Sequence, residues 1–319
     1  MKDRLGREIH YMRISVTDRC NLRCRYCMPD SPCFLPEAEL LSYEELLRIC
    51  ACAVKLGINC FKITGGEPLV RPGLLPFLKA LKSMEGVRQV TLTTNGLLLG
   101  NLLSGLCEIG IDGLNISLDT LDSQQYTLLT GGGTLEPVLQ NLKAAVASPI
   151  PVKLNAVLLP ATVTQILPLA ALAAQMAIDV RFIEIMPVGY GKGIVPVPSS
   201  QALQMLQNVY PDLTPCAAKR GNGPAYYWES SRLKGKLGLI DAVSNRFCEQ
   251  CNRVRLTCTG YLKPCLCFES GIDLKEFLAG GEQELLEKMR TAIWDKPISH
   301  CFSQPENMTE THMMSQIGG

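Results

Sequence analysis

The side chains with the clearest chemistry are cysteines in two spaced sets. Cys20, Cys24 and Cys27 form a CxxxCxxC arrangement inside the run Ser15-Val-Thr-Asp-Arg-Cys-Asn-Leu-Arg-Cys-Arg-Tyr-Cys27. Cys248 and Cys251 form a CxxC, and thirteen residues separate Cys251 from Cys265. Thiolate is a soft ligand that suits iron–sulfur clusters or zinc. Three thiolates on one short loop can hold three irons of a four-iron, four-sulfur cube and leave the fourth iron open. A structural zinc or an electron-transfer cluster uses a closed set of four protein ligands. An open corner is where a small molecule can bind. For the second set, spacing alone does not separate zinc from iron–sulfur, and Cys258 and Cys267 remain candidates for a fourth ligand.

A third feature is Gly65-Gly66-Glu67-Pro68. It is too short for a dinucleotide fingerprint, and the chain contains no GxGxxG and no P-loop ending in GK[ST]. Two glycines let backbone carbonyls approach a ligand closely, and Glu67 can accept a hydrogen bond from an ammonium group. Arg253 and Arg255 are alternate residues beside a cysteine of the second set, so on an extended stretch they face the same way.

The elements that must position these groups follow from periodicity. Strand-like and helix-like segments alternate through the first part of the chain. Strands are expected at 13–17, 60–64, 87–93, 113–118, 151–157 and 180–185. Helices are expected at 43–56, 74–84, 98–109, 135–146 and 166–176. Ser42 with Glu45 three residues on reads as a capping box for the first helix. Loops of a few residues between such segments imply right-handed βαβ crossovers and a parallel sheet. Six strands could form an open sheet or an incomplete barrel. Cys20, Glu67, Thr93, Asn95, Ser117, Asp119, Asn155, Arg181 and Glu184 fall at or after the C-terminal parts of strands. In a barrel those ends converge on one mouth, whereas a single switch-point crevice would draw on fewer strands. Beyond Gly189 the pattern changes to a helix near 199–209, a hairpin from 225–228 and 236–240, and helices at 274–278 and 283–293. The tail shows no apolar periodicity.

Composition bounds the class. The 319 residues carry a formal net charge of +1, so no basic field marks a nucleic-acid partner. The N-terminus lacks an apolar signal core, and the most apolar tract, 166–178, is too short to cross a bilayer. A cytoplasmic location is expected, with fifteen cysteines serving as ligands or buried thiols rather than disulfides.

The first cysteine spacing followed by Gly-Gly-Glu-Pro resembles the radical S-adenosylmethionine (SAM) enzymes. Further runs resemble one family within them, the GTP 3',8-cyclases of molybdenum cofactor biosynthesis: Phe34-Leu-Pro, Leu92-Thr-Thr-Asn-Gly, Asn115-Ile-Ser-Leu-Asp, Arg181-Phe-Ile-Glu, Cys251-Asn-Arg-Val-Arg-Leu and the terminal Gly318-Gly319. The match spans essentially the whole chain. The resemblance implies an incomplete (β/α)6 barrel over 1–189, and a C-terminal α+β extension over 190–319 that carries a second cluster and closes the open side. It implies two [4Fe-4S] clusters with three cysteines each, Cys20, Cys24 and Cys27 for the first and Cys248, Cys251 and Cys265 for the second. It places SAM against Tyr26, Gly66, Glu67, Thr93 and Ser117. It places GTP against Arg13, Lys62, Lys153, Arg181, Arg253 and Arg255, with arginine forks gripping phosphate oxygens. Arg13 and the tail residues Gly318 and Gly319 would assist catalysis. In such enzymes the adenosyl radical takes hydrogen from ribose C3' and the carbon radical attacks guanine C8, giving 3',8-cyclo-7,8-dihydro-GTP. An external one-electron reductant and a successor, cyclic pyranopterin monophosphate synthase, are the implied partners, and a homodimer stays open. Lys62 stands where arginine is expected in many relatives, and the region before Pro196 is short. Two rival readings remain on sequence alone: a radical SAM peptide maturase with an auxiliary cluster, and a non-enzymatic metal-binding module.

Overall fold

In the computed structural model, which describes residues 1–218 and 220–318, the six expected parallel strands are present. They are β1 (Tyr11–Ser15), β2 (Cys60–Thr64), β3 (Gln89–Thr94), β4 (Gly113–Ser117), β5 (Val152–Leu158) and β6 (Asp179–Glu184). Each pairs in parallel with the next. The helices between them are α1 (Tyr43–Lys55), α2 (Leu74–Lys82), α3 (Leu99–Ile109), α4 (Ser123–Thr130), α5 (Leu135–Ala147) and α6 (Ile166–Gln175). Period-two alternation sorts the two faces of each strand. In β5 Val152, Leu154, Ala156 and Leu158 are buried, while Lys153, Asn155 and Val157 take the other face. The buried row joins Val138 and Leu142 of α5 and Leu169 and Ala173 of α6 in one continuous core. The capping box at α1 is formed as expected: Glu45 N–H donates to Ser42 Oγ at 3.1 Å and Ser42 N–H to Glu45 Oε2 at 2.7 Å.

The strands of the C-terminal part lengthen both edges of the same sheet. After α7 (Ser199–Val209) come β7 (Thr214–Pro215), β8 (Tyr226–Glu229), β9 (Leu237–Ile240), β10 (Arg253–Leu256), β11 (Tyr261–Lys263) and β12 (Ile272–Asp273). The expected hairpin is β8–β9, and β9 then pairs in parallel with β6. β10 pairs in parallel with β1 at the other edge. The result is a twelve-stranded sheet in the order β12-β11-β10-β1-β2-β3-β4-β5-β6-β9-β8-β7.

Three elements differ from expectation. The segment 274–278 forms only a 3-10 turn at Lys275–Phe277, ahead of α8 (Glu282–Trp294). α4 is largely polar; Asp122 caps it by accepting from Gln125 N–H, and Tyr126 and Leu129 bury one short stripe. The tail carries a four-residue helix, α9 (Met314–Ile317), too short to show periodicity. Among the described residues no helix is long and apolar enough to cross a membrane.

Candidate active site

β1 delivers the first cysteine loop. Gly66 N–H donates to Thr17 O at 2.7 Å and Glu67 N–H to Arg19 O at 2.8 Å, so the Gly-Gly-Glu-Pro turn at the end of β2 is stitched to the loop. A Cβ on Gly66 would lie 2.4 Å from Arg19 O and 2.6 Å from Asp18 O. The glycine is therefore required for contact between the two loops, a use that the sequence reading assigned to a ligand. Glu67 is buried and its carboxylate is engaged inward, accepting from Leu69 N–H (3.0 Å), Thr94 Oγ1 (2.8 Å) and Asn95 N–H (2.6 Å). Burial pushes this carboxyl up to about 7, against the pull of those donors. Asp119, at the end of β4, is pushed up to about 6 by burial while it accepts from Val157 N–H and from Tyr26 Oη, each at 2.7 Å. Tyr26 is thereby fixed between two cysteines of the loop. α4, the helix that sequence did not foresee, braces the other side: Arg23 N–H donates to Thr130 O at 2.8 Å and Arg25 N–H to Leu129 O at 3.0 Å.

The second cysteine set sits on the turn Cys248–Gln250 before β10 and on the segment after β11. Two buried cations that sequence reasoning missed hold it. Arg7 pairs with Asp3 at 2.6 Å and donates to the carbonyls of Cys248 (3.0 Å), Pro297 (2.7 Å) and Ile298 (3.0 Å). Lys296 donates to Arg253 O at 2.9 Å and to Pro264 O. Burial pushes the Cys251 thiol up, but Lys296 and Arg253 together outweigh it and leave the thiol below its ordinary value. In the first set burial dominates, raising Cys20, raising Cys24 strongly and pushing Cys27 up to about 12. Lys296 belongs to no motif, and its only signal was a lone lysine before Pro297.

Both sets face one cavity of ≈ 340 Å³, and its lining contains six cysteines, Cys20, Cys24, Cys27, Cys248, Cys251 and Cys265. The spare candidates lie elsewhere. Cys258 is buried outside the lining, and Cys267 is fully buried with its Sγ 3.2 Å from Cys301 Sγ. Each set thus contributes three cysteines to the lining of the same space, the number an open-corner cluster needs, although among the described residues no three His, Cys, Asp or Glu side chains are gathered closely enough to hold a metal ion.

Cations occupy the wall between the sets. Arg13 on β1 is the Cα partner of Arg255 on β10 and of Lys62 on β2, which puts three cations on one face of three adjacent strands. Burial, then Arg181, Arg13, Lys153 and Arg253, hold the Lys62 ammonium well below its ordinary value. Arg255 is likewise lowered by burial and by Arg13 and Arg253. Arg181 donates to Asn115 Oδ1, yet its Nε and the Nε of Arg253 are buried donors without a protein partner, as is the Thr93 hydroxyl. A wall of crowded cations with unmatched donors fits an anionic ligand. Thr93, Ser117, Tyr26, Gly66 and Glu67 also line the cavity. Lys153 does not: its Nζ donates to Arg220 O (2.9 Å) and Tyr227 Oη (3.1 Å) and lies 3.4 Å from Asp179. His300, another lining residue without a motif, is pushed down to about 4 by burial and by Arg246, and its Nε2 is buried without a partner.

The tail enters this space. Met314 lines the cavity, the Ser315 backbone pulls the Cys27 thiol down against the push of burial, and Arg255 Nη1 donates to Gly318 O at 2.5 Å. Gly319, named with Gly318 from the sequence, lies outside the described residues.

Residues 14–173 match the Radical SAM superfamily, and residues 178–302 match Molybdenum Cofactor Synthesis C. The barrel with its first cysteine loop is thus that of a radical SAM protein. Across the full chain the similarity narrows. GTP 3',8-cyclase of Clostridium perfringens (strain 13 / Type A) is 40% identical over 323 residues, covering 100% of both chains. The GTP 3',8-cyclases of Heliobacterium modesticaldum and Geobacter sulfurreducens are each 41% identical, covering 100% and 99% of both chains. The chain belongs to the GTP 3',8-cyclase family. Among solved structures, Streptococcus suis SuiB superposes with a TM-score of 0.65 at 18% identity, over 91% of this chain and 67% of that one. SuiB bound to precursor peptide SuiA gives the same score at 16% identity, over 94% and 67%. At such identity this is a likeness of fold.

Proposed function

We infer that this protein is a GTP 3',8-cyclase that converts GTP to 3',8-cyclo-7,8-dihydro-GTP, an early step in making molybdopterin. The observation that carries the reading is the shared cavity: two three-cysteine sets face each other across a wall of cations. Cys20, Cys24 and Cys27 would hold the first cluster, and Cys248, Cys251 and Cys265 a second. When bound, the first cluster supplies an electron that cleaves SAM to a hydrogen-abstracting radical.

The chain's own residues orient and neutralise. The stitched Gly-Gly-Glu-Pro turn, Thr93 and Ser117 form the SAM side of the cavity. Arg13, Lys62, Arg181, Arg253 and Arg255 offset the triphosphate charge, and the unmatched Nε groups of Arg181 and Arg253 are donors suited to its oxygens. Lys153 reaches GTP by giving up Asp179 and Tyr227, in which case Arg220 keeps Asp179 neutralised at 2.9 Å. Arg13 and the Gly318-Gly319 tail would act at the reacting end. The division of labour falls between 1–189, which holds SAM and gives Arg13, Lys62, Lys153 and Arg181 to GTP, and 190–319, which holds the second cluster and gives Arg253 and Arg255. The enzyme works in the cytoplasm with an external one-electron donor and hands its product to cyclic pyranopterin monophosphate synthase.

The test is anaerobic turnover of the cluster-loaded protein with GTP, SAM and dithionite, with iron counted on the same sample. Iron for two cubes and GTP-dependent 5'-deoxyadenosine with a cyclised guanine product are expected. SAM cleavage indifferent to GTP would discard the substrate, and zinc with no SAM cleavage would sink the enzyme reading.

A further inference from the structure

We propose that Glu310 is a positioning residue for the cyclisation: through its buried pairing with Lys263 it sets where the C-terminal tail enters the cavity between the two cysteine sets. The inference rests on the functional reading above, because it assigns the tail a part in the reaction.

Glu310 is fully buried, and Lys263 is 2% exposed. Glu310 Oε2 lies 2.6 Å from Lys263 Nζ. Its Oε1 accepts from His312 N–H at 2.8 Å and lies 2.9 Å from His312 Nδ1. The main chain of Glu310 is engaged as well. Its N–H donates to Cys267 O at 3.3 Å, and its carbonyl accepts from Lys192 Nζ at 3.1 Å. One residue therefore ties the start of the tail to three places: the strand that leads through Lys263-Pro264 into Cys265, the backbone two residues beyond Cys265, and the loop after β6.

What lies downstream depends on that tie. α9 has four residues, far short of the length at which a helix holds itself. Yet its Met314 lines the cavity that both cysteine sets line, and Gly318 O accepts from Arg255 beside the second set. A tail that must reach this cavity needs a defined entry point. Cys267, whose carbonyl accepts from Glu310 N–H, belongs to an apolar cluster with Val188, Leu266, Phe302 and Ile317. In such surroundings an ion pair adds little net stability over a hydrophobic pair of similar volume. Its distinctive property is that it admits one register, since sliding the tail by a residue strands a buried charge.

The experiment compares wild type, Glu310→Gln and the neutral pair Lys263→Met/Glu310→Gln, each as the cluster-loaded full chain. Glu310→Gln alone strands the Lys263 charge. The neutral pair keeps volume without charge and carries the test if the single variant does not fold. Three quantities are read: iron content, deuterium exchange of the amides at 313–318, and cyclised product per 5'-deoxyadenosine. With iron unchanged, exchange at 313–318 is expected to quicken at least about tenfold, and product per deoxyadenosine to fall at least about fivefold. A role in stability alone would lower iron and both products in proportion and leave their ratio intact, which overturns the proposal. Unchanged tail protection in the neutral pair overturns it too. If the wild type itself makes no product from GTP, the functional reading fails on its own, and the exchange data still decide whether Glu310 sets the tail.

Discussion

Arg13 and Arg255 are Cα partners across β1 and β10, two parallel strands contributed by opposite ends of the chain. Like charges opposite each other on one face of a sheet destabilise it, and Lys62 on β2 adds a third. An anion bound against this face would offset that cost. Arg255→Ala should therefore weaken GTP binding by about 10–150-fold, the loss of one charge-assisted contact of ~1.5–3 kcal/mol. Arg255→Lys should recover only part, because a point charge replaces a fork. Equilibrium dialysis with labelled GTP in the absence of SAM reads this directly. The thermal midpoint without nucleotide should hold or rise, since repulsion with Arg13 is relieved. A falling midpoint with unchanged GTP affinity would mark Arg255 as structural.

Cys265 and Cys267 are two residues apart but meet different surroundings. Cys265 lines the cavity, and Cys267 faces Cys301. Cys265→Ala should lower iron from the content of two cubes to that of one, with a matching loss of visible absorbance. Cys267→Ala and Cys258→Ala should leave iron unchanged. Iron lost in Cys267→Ala and kept in Cys265→Ala would reassign the third ligand of the second set.

Much of this was legible because the chemistry is local. Cys20 to Cys27 span one loop, and β1 to β6 alternate with helices at short intervals. The parallel strands and the cavity-facing residues at their ends followed from period, while the choice of a barrel over an open sheet rested on the family resemblance. The outer strands were harder to see. β10 carries Arg253 and Arg255 in an extended stretch, as expected, but nothing local says that it pairs with β1. That pairing is a long-range choice made by packing. Arg7 and Lys296 were invisible for a related reason: their work is to satisfy backbone carbonyls of distant loops, and no spacing records that. Lys153 shows the opposite gap. Its place on the interior face of β5 is readable, while its engagement by Asp179 and Tyr227 depends on where 220–227 folds back.

Glu67 and Asp119 make stability fall as pH rises. Burial holds their folded-state values at about 7 and about 6, against 4.5 and 3.8 as ordinary values. Between those limits the folded protein binds more protons than the unfolded chain. Their contribution is fully present below the ordinary values and is lost as pH climbs through the raised ones. The thermal midpoint of the cluster-loaded protein, measured anaerobically from pH 5 to 8, should decline across pH 5–7 more steeply in wild type than in Glu67→Gln. The variant starts lower, since the amide cannot accept from Leu69, Thr94 and Asn95 together, but its profile is flatter. Parallel profiles would show that Glu67 is ionised throughout.

Gly318 has a φ of 86°, and a Cβ there would lie 2.9 Å from Thr64 Cγ2 and 3.1 Å from Ser15 Cβ. Thr64 and Ser15 are register partners at the C-terminal ends of β2 and β1, so neither can retreat without disturbing the strands that seat the first cysteine loop. In Gly318→Ala the tail must give way. Left-handed backbone on a residue with a side chain costs about 1–3 kcal/mol, and lifting the tail also removes the Arg255 bond to Gly318 O. Cyclised product should fall about tenfold or more, while iron and SAM cleavage stay near wild type because all six cavity-lining cysteines are kept. The ratio of product to 5'-deoxyadenosine is the quantity to measure. If it matches wild type, the seat between Ser15 and Thr64 holds the tail at rest and plays no part in turnover.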